Sequence, residues 1–164
     1  MIRHLLISSA FVLASTVTFV ATANAQDASA NGPVADMCVF SEPTIGQLAV
    51  NDTSNPTVLS SSLAGGTAAQ VDITCNGNAT LTVSPPIQTE GKTTTFKSLT
   101  AKATSKDLVG LNVDSNSTKP GNININTTED TASGTIEVNM TADNDGKTIS
   151  PGQYTFTVTL SSTP

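Results

Sequence analysis

Apolar and polar residues alternate with a period of two along most of the chain, and no segment beyond residue 25 carries a capped helical pattern. Successive side chains of a strand point to opposite faces, so this alternation describes strands with one dry and one wet face. Val71, Ile73 and Cys75 alternate with Asp72 and Thr74. Leu81 and Val83 alternate with Thr80, Thr82 and Ser84, and Pro85-Pro86 is expected to end that strand. Val109, Leu111 and Val113 form another inward set, as do Ile123 with Ile125, and Ile136 with Val138 and Met140. Tyr154, Phe156, Val158 and Leu160 make the last and cleanest strand. Weaker strand candidates cover 37–40, 45–50, 57–59 and 94–103. Asp143-Asn144-Asp145-Gly146 reads as a hairpin turn, and Lys119-Pro120-Gly121-Asn122 as a second tight turn, because both offer residues that tolerate positive φ. Short strands at turn-rich spacing predict an all-β fold, an antiparallel β-sandwich.

The first 25 residues follow a different rule. Arg3 and His4 make a short basic start, an apolar run follows to Ala21, and Ala23-Asn24-Ala25 supplies the small-x-small pattern of a signal-peptidase site. Residues 1–25 therefore read as a cleaved secretory signal, with a second candidate site ending at Ala30. The alternative, a retained anchor, is weakened by Ser and Thr in the run and by the lack of a following basic cluster. Removal would leave roughly 140 residues, the size of one domain. Residues 26–36 form a small-residue arm, and residues 37–164 the domain itself.

Removing the signal also removes chemistry. Arg3 and His4 are the chain's only Arg and His. The remainder has neither an imidazole for general base catalysis or metal ligation nor a guanidinium clamp for phosphate. Thirteen Asp and Glu stand against six Lys, a balance that repels phosphate backbones and anionic lipid, so neither nucleic acid nor membrane is expected as a partner of the mature form. No G-x-S-x-G elbow is present, and Ser98 with Lys102, or Ser105 with Lys106, lacks the spacing and helix of Ser–Lys catalysis. Asp143-x-Asp145-Gly146 resembles part of a calcium loop, but Thr141 and Gly152 stand where an EF-hand loop needs a ligand and its closing Glu. Five Asn-x-Thr sequons, at Asn51, Asn78, Asn116, Asn126 and Asn139, are expected by chance in so Asn- and Thr-rich a chain. No catalytic residue, metal or cofactor is expected. Cys38 and Cys75 lack a C-x-x-C arrangement, and in an exported chain they predict one structural disulfide.

Cys38 followed by Phe40, Ile45-Gly46, Val71-Asp72-Ile73-Thr74-Cys75-Asn76, Thr80-Leu81-Thr82-Val83 and the closing Gly152-Gln153-Tyr154-Thr155-Phe156-Thr157-Val158-Thr159-Leu160 together resemble the spore coat protein U domain. That domain is related to pilins of the archaic chaperone–usher type. The resemblance spans about residues 37–160. It implies an incomplete immunoglobulin-like sandwich in which Cys38 and Cys75 join the first two strands. It further implies a periplasmic chaperone that caps the open groove, an outer-membrane usher, and a neighbouring copy whose N-terminal arm later fills the groove by β-strand addition. The donor positions in this chain would be Ala28, Ala30, Gly32 and Val34, smaller than the family's usual donor residues, with Pro33 lacking one ladder donor.

The function expected on this basis is an exported, non-enzymatic subunit of a surface fibre or coat, periplasmic in transit and then extracellular. The rival expectation is a monomeric extracellular adhesion or ligand-binding module. That module would bind through loops such as 89–92 or 112–121.

Overall fold

The structure is a computed structural model that describes residues 15–21, as a backbone strand, and 35–91, 94–117, 120–124 and 131–164. Among the described residues there is no helix, and the alternating segments form strands. In chain order these are β1 (Ser15–Ala21), β2 (Cys38–Phe40), β3 (Gly46–Val50), β4 (Val58–Ser60), β5 (Ala69–Cys75) and β6 (Ala79–Val83). Then follow β7 (Ile87–Gly91), β8 (Ser98–Ser105), β9 (Asn112–Asp114), β10 (Gly121–Ile123), β11 (Ala132–Asp143) and β12 (Tyr154–Thr163).

Two layers result. One is organised on β12, whose first edge carries β7 and then β6, with β10 beyond β6, and whose second edge carries β1 and then β3. The other is organised on β11, with β5 and β4 along one edge, β8 then β9 along the other, and β2 outside β5. All pairings are antiparallel except β1 with β12. β3 also pairs with β4 and so belongs to both layers. The inward residues of both layers share one core: Val71, Ile73, Leu81, Ile136, Met140, Phe156 and Leu160 are all almost wholly buried. The expected all-β, antiparallel, two-layered fold is thus present. So is the Cys38–Cys75 disulfide, which joins register partners on β2 and β5 across a Cα separation of 4.1 Å.

One local expectation holds and three are corrected. β6 ends at Val83, just before Pro85-Pro86, and a separate strand, β7, then continues along the same edge of β12. Ser84 spans the gap, its N–H donating to the Thr159 carbonyl (2.9 Å) and its Oγ accepting from the Thr159 N–H (2.8 Å). Val109 is not inward but 94% exposed, because β9 starts only at Asn112 and the chain turns at Gly110 with φ +78°. Leu108 is buried instead. The turn at Asp143–Gly146 is tight, with Asp145 at φ 55° and Gly146 at φ 73°, yet it is no hairpin, since β11 and β12 lie in different layers. Gly121 opens β10 and does not turn the chain; a Cβ there would strike the side chains of Val113 and Leu111. Ile125 and Lys119 lie outside the described residues.

β11 changes neighbour along one edge, from β5 at Val138 to β4 at Thr141. Ser61 serves the gap. Its Oγ accepts from the Met140 N–H (2.9 Å) and its own N–H donates to the Met140 carbonyl (3.0 Å). Ser60 Oγ donates to the same carbonyl. These buried hydroxyls let one long strand bridge two short partners without orphaned backbone groups. Ser61→Ala is expected to destabilise the fold by about 1–3 kcal/mol, the cost of a buried N–H left unpaired, and urea unfolding would measure it.

Candidate functional site

The strand that most determines what this fold can do is β12. Tyr154, Phe156, Val158 and Leu160, the residues expected to face inward, are all buried. Phe96 packs edge-on to Tyr154 (ring centroids 5.7 Å) and to Phe156 (5.5 Å), closing the core where β12 begins. The Tyr154 hydroxyl donates to the Ser150 carbonyl (2.6 Å) and lies 3.0 Å from Thr94 Oγ1, so this buried phenol is satisfied.

The second edge of β12 is held differently from the first. From Thr155 to Leu160 its described partner is β1 alone, running parallel, with Val17 opposite Phe156, Phe19 opposite Val158 and Ala21 opposite Leu160. On its far side β1 pairs antiparallel with β3, through Ser15–Leu48, Thr16–Gln47 and Val17–Gly46. β1 therefore fills a seam between β3 and β12. Its residues lie inside the stretch that the sequence marks as a signal. If that stretch is removed, two strand edges lose their ladder together. Unpaired edges of this kind are templates for another strand.

The seam exists because the chain changes layers at Gly46. Before it, Ser41 donates to the Asp72 carbonyl and Thr44 to the Gln70 carbonyl, both on β5. After it, β3 turns to β1 and β4. A Cβ at Gly46 would lie 2.6 Å from the Ala69 N and 2.8 Å from the Thr67 O, so only glycine allows this close crossing. Gly46→Val is expected to cost about 1–3 kcal/mol through forced backbone displacement, read as a lowered midpoint in thermal unfolding.

Where β12 begins and β3 ends, the seam opens into a cleft of about 180 Å³ lined chiefly by Val50, Pro56, Leu59, Ile149, Pro151 and Tyr154. Its two walls, the β3–β4 and β11–β12 connections, are tied together. Ile149 N–H donates to the Pro56 carbonyl (2.6 Å) and Asn144 N–H to the Thr57 carbonyl (3.0 Å). Asn51 pins the first wall, its Oδ1 accepting from the N–H groups of Thr57 and Val58, both at 3.0 Å. The cleft is preformed. Sequence reading did not find it, because its lining comes from loop residues with no periodicity; Pro56 and Pro151 flanking isolated apolar residues were the available signal.

The arm positions Ala28, Ala30, Gly32 and Val34 lie outside the described residues, as does the Ala23–Ala25 processing site. The arm's last residues are anchored to the domain: Asn76 Nδ2 donates to the Ala35 carbonyl (3.2 Å), and Met37 N–H donates to Asn76 Oδ1 (2.6 Å). Of the loops expected to bind a ligand in the rival reading, Thr89–Gly91 lies in β7, and Asn112–Asp114 and Gly121 lie in β9 and β10. Ser105, considered for Ser–Lys chemistry, accepts through Oγ from the N–H groups of Asp107 and Leu108, a turn-forming role. Asp143 Oδ1 likewise accepts from the Asp145 N–H (2.8 Å). Among the described residues no three His, Cys, Asp or Glu side chains converge as a metal site, and no helix is long and apolar enough to cross a membrane. No family model, no curated protein and no solved structure matches the chain.

Proposed function

We propose that the chain is an exported, non-enzymatic structural subunit that assembles into a surface fibre or coat by β-strand complementation. The observation that carries this reading is the seam between β3 and β12, occupied by Ser15–Ala21. The occupant coincides with the apolar run of the export signal, so processing after Ala25 or Ala30 would vacate it. A vacated seam presents both a hydrogen-bonding ladder and the apolar row Phe156, Val158 and Leu160, the two elements that strand addition uses. Assembly on this model joins copies of the chain to one another, with a periplasmic chaperone holding the seam in transit and an outer-membrane usher releasing the fibre. The disulfide fits an oxidising compartment.

The test is expression of the full chain with its own leader, followed by intact-mass measurement, size-exclusion chromatography and negative-stain electron microscopy of the exported product. The expected result is a product lacking residues 1–25 or 1–30 that forms filaments or a ladder of oligomers. Deletion of residues 26–36 is expected to abolish them. A product that keeps Ser15–Ala21, a strictly monomeric product, or normal fibres from the deletion would each overturn the reading.

A further inference from the structure

We propose that Asn76-Gly77 is a self-modifying latch: hydrolytic loss of the Asn76 amide, through attack by the following peptide nitrogen, frees residues 35–37, the root of the arm, from the domain. Such a latch is independent of whether copies of the chain polymerise. β5 ends at Cys75 and β2 begins at Cys38, its register partner. Beyond that bridge one residue continues the ladder. Asn76 N–H donates to the Met37 carbonyl (3.1 Å), Met37 N–H donates to Asn76 Oδ1 (2.6 Å), and Asn76 Nδ2 donates to the Ala35 carbonyl (3.2 Å). The carboxamide thus serves as an extra peptide group, its acceptor toward Met37 and its donor toward Ala35. Both halves are needed, because an acceptor in place of Nδ2 would face the Ala35 carbonyl, oxygen against oxygen.

The residue that follows makes the amide labile. Glycine has no side chain to shield its peptide nitrogen or restrict its backbone, so that nitrogen can reach the Cγ of a preceding asparagine. Asn76 is exposed, and water has access to it. In the reaction the Gly77 nitrogen loses its proton to hydroxide and bonds to Asn76 Cγ, the Cγ–Nδ2 bond breaks, and the amide nitrogen leaves as ammonia. The cyclic imide then takes up water. Opening at one carbonyl gives aspartate; opening at the other gives isoaspartate, whose main chain runs through Cβ and Cγ. Either product lacks the Nδ2 donor and carries a new carboxylate. Asp36 is already beside it, since a Cβ at Gly77 would strike the Asp36 side chain. An unpaired Ala35 carbonyl and two neighbouring carboxylates then oppose redocking of the root. Isoaspartate also adds a methylene to the main chain after Cys75, which moves the acceptor for Met37 out of register. While docked, the carboxamide can turn toward the Gly77 nitrogen only by breaking its bonds to Met37 and Ala35. The site therefore reacts slowly while latched and does not relatch once reacted.

The test incubates the full chain in mildly alkaline buffer, folded and in parallel unfolded in urea, with the Cys38–Cys75 bridge intact in both. Peptide mass mapping reads the exchange of NH2 for OH at Asn76, separates aspartate from isoaspartate, and keeps this site apart from the chain's other Asn-Gly pair, Asn31-Gly32. The expected result is conversion at Asn76 in both samples, about tenfold or more slower in the folded chain, the factor that two hydrogen bonds supply. Hydrogen exchange then compares converted with unconverted protein, and Met37 N–H is expected to exchange about tenfold or more faster in the isoaspartyl product. Asn76→Ser, which lacks both carboxamide bonds and cannot form the imide, should show that faster exchange from the outset and no mass change at residue 76. Circular dichroism checks that this variant is folded; if it is not, the measurements on the unaltered chain decide alone. Absence of conversion in either sample, equal rates in the folded and unfolded chain, or a converted protein whose Met37 stays protected would each overturn the latch.

Discussion

Replacing Cys38 and Cys75 together by Ser is expected to lower the unfolding free energy by about 4 kcal/mol, the chain-entropy value for closing a loop of this length. The bridge spans 37 residues and closes the loop that contains β3, β4 and most of β5. It also matters locally. β2 has three residues and, among the described residues, lies at a sheet edge and pairs only with β5. So short a strand has little ladder of its own, and the covalent link to Cys75, which is fully buried, keeps it in register. β2 leads through Ser41 and Thr44 to the crossing at Gly46, and therefore sets the position of β3, one wall of the seam. Urea unfolding of the protein, bridged and with both cysteines replaced, gives the difference. Hydrogen exchange should also show faster exchange at Cys38–Phe40 in the variant. A change below about 1 kcal/mol, far under the chain-entropy expectation, would mean that β2 is held by packing alone.

Period-two alternation made the two central strands legible because both are buried on one face over most of their length. β11 from Ile136 and β12 as far as Leu160 alternate buried with half-buried residues, and β5 alternates buried with exposed ones from end to end. The pattern failed where backbone geometry overrode side-chain character. Val109 has the composition of a strand residue but sits beside Gly110, whose positive φ turns the chain. Pro85-Pro86 does end β6; what its composition could not show is that β7 takes up the same edge of β12, with Ser84 bonded to Thr159 across the gap. The turn at Asp145-Gly146 was visible in its residues, while the layers it connects were not, since turn chemistry carries no information about long-range pairing.

The candidate site was legible only by half. Its floor, the row from Tyr154 to Leu160, follows from alternation, and Gly46 was singled out through a motif whose physical reason is the tight crossing over Ala69. The seam itself depends on two strands far apart in sequence failing to pair with each other. Nothing local encodes that. The apolar run at residues 15–21 was read for export, and its composition is equally that of a buried strand: Val, Thr and Phe are strong β-formers. One stretch of residues thus has a composition compatible with two physical demands, partition into an apolar phase and pairing as a strand between β3 and β12.

Phe156→Ala is expected to destabilise the domain by about 3–5 kcal/mol, the range for truncating a fully buried phenylalanine. Phe156 is 0% exposed, packs edge-on to Phe96, and lies at the level of β12 where β7 and β1 flank it on either edge. The surrounding ladder limits how far the backbone can collapse into the void, which places the effect toward the upper end. Thr157, the next residue, points to the other face and is only half-buried. Thr157→Ala should change stability by no more than about 0.5 kcal/mol, as for ordinary surface positions. The pair of variants, compared by urea unfolding, tests the alternation on which the whole architecture depends. Similar losses at both positions would mean that β12 is buried on both faces and that the seam is part of a thicker interior. A large loss at Phe156 alone, together with reduced oligomer formation at protein concentrations where the domain remains folded, would locate the same side chain in both the core and the acceptor row. Phe156 stands where the two are physically one surface: the face that stabilises the domain is continuous with the face that would receive an incoming strand.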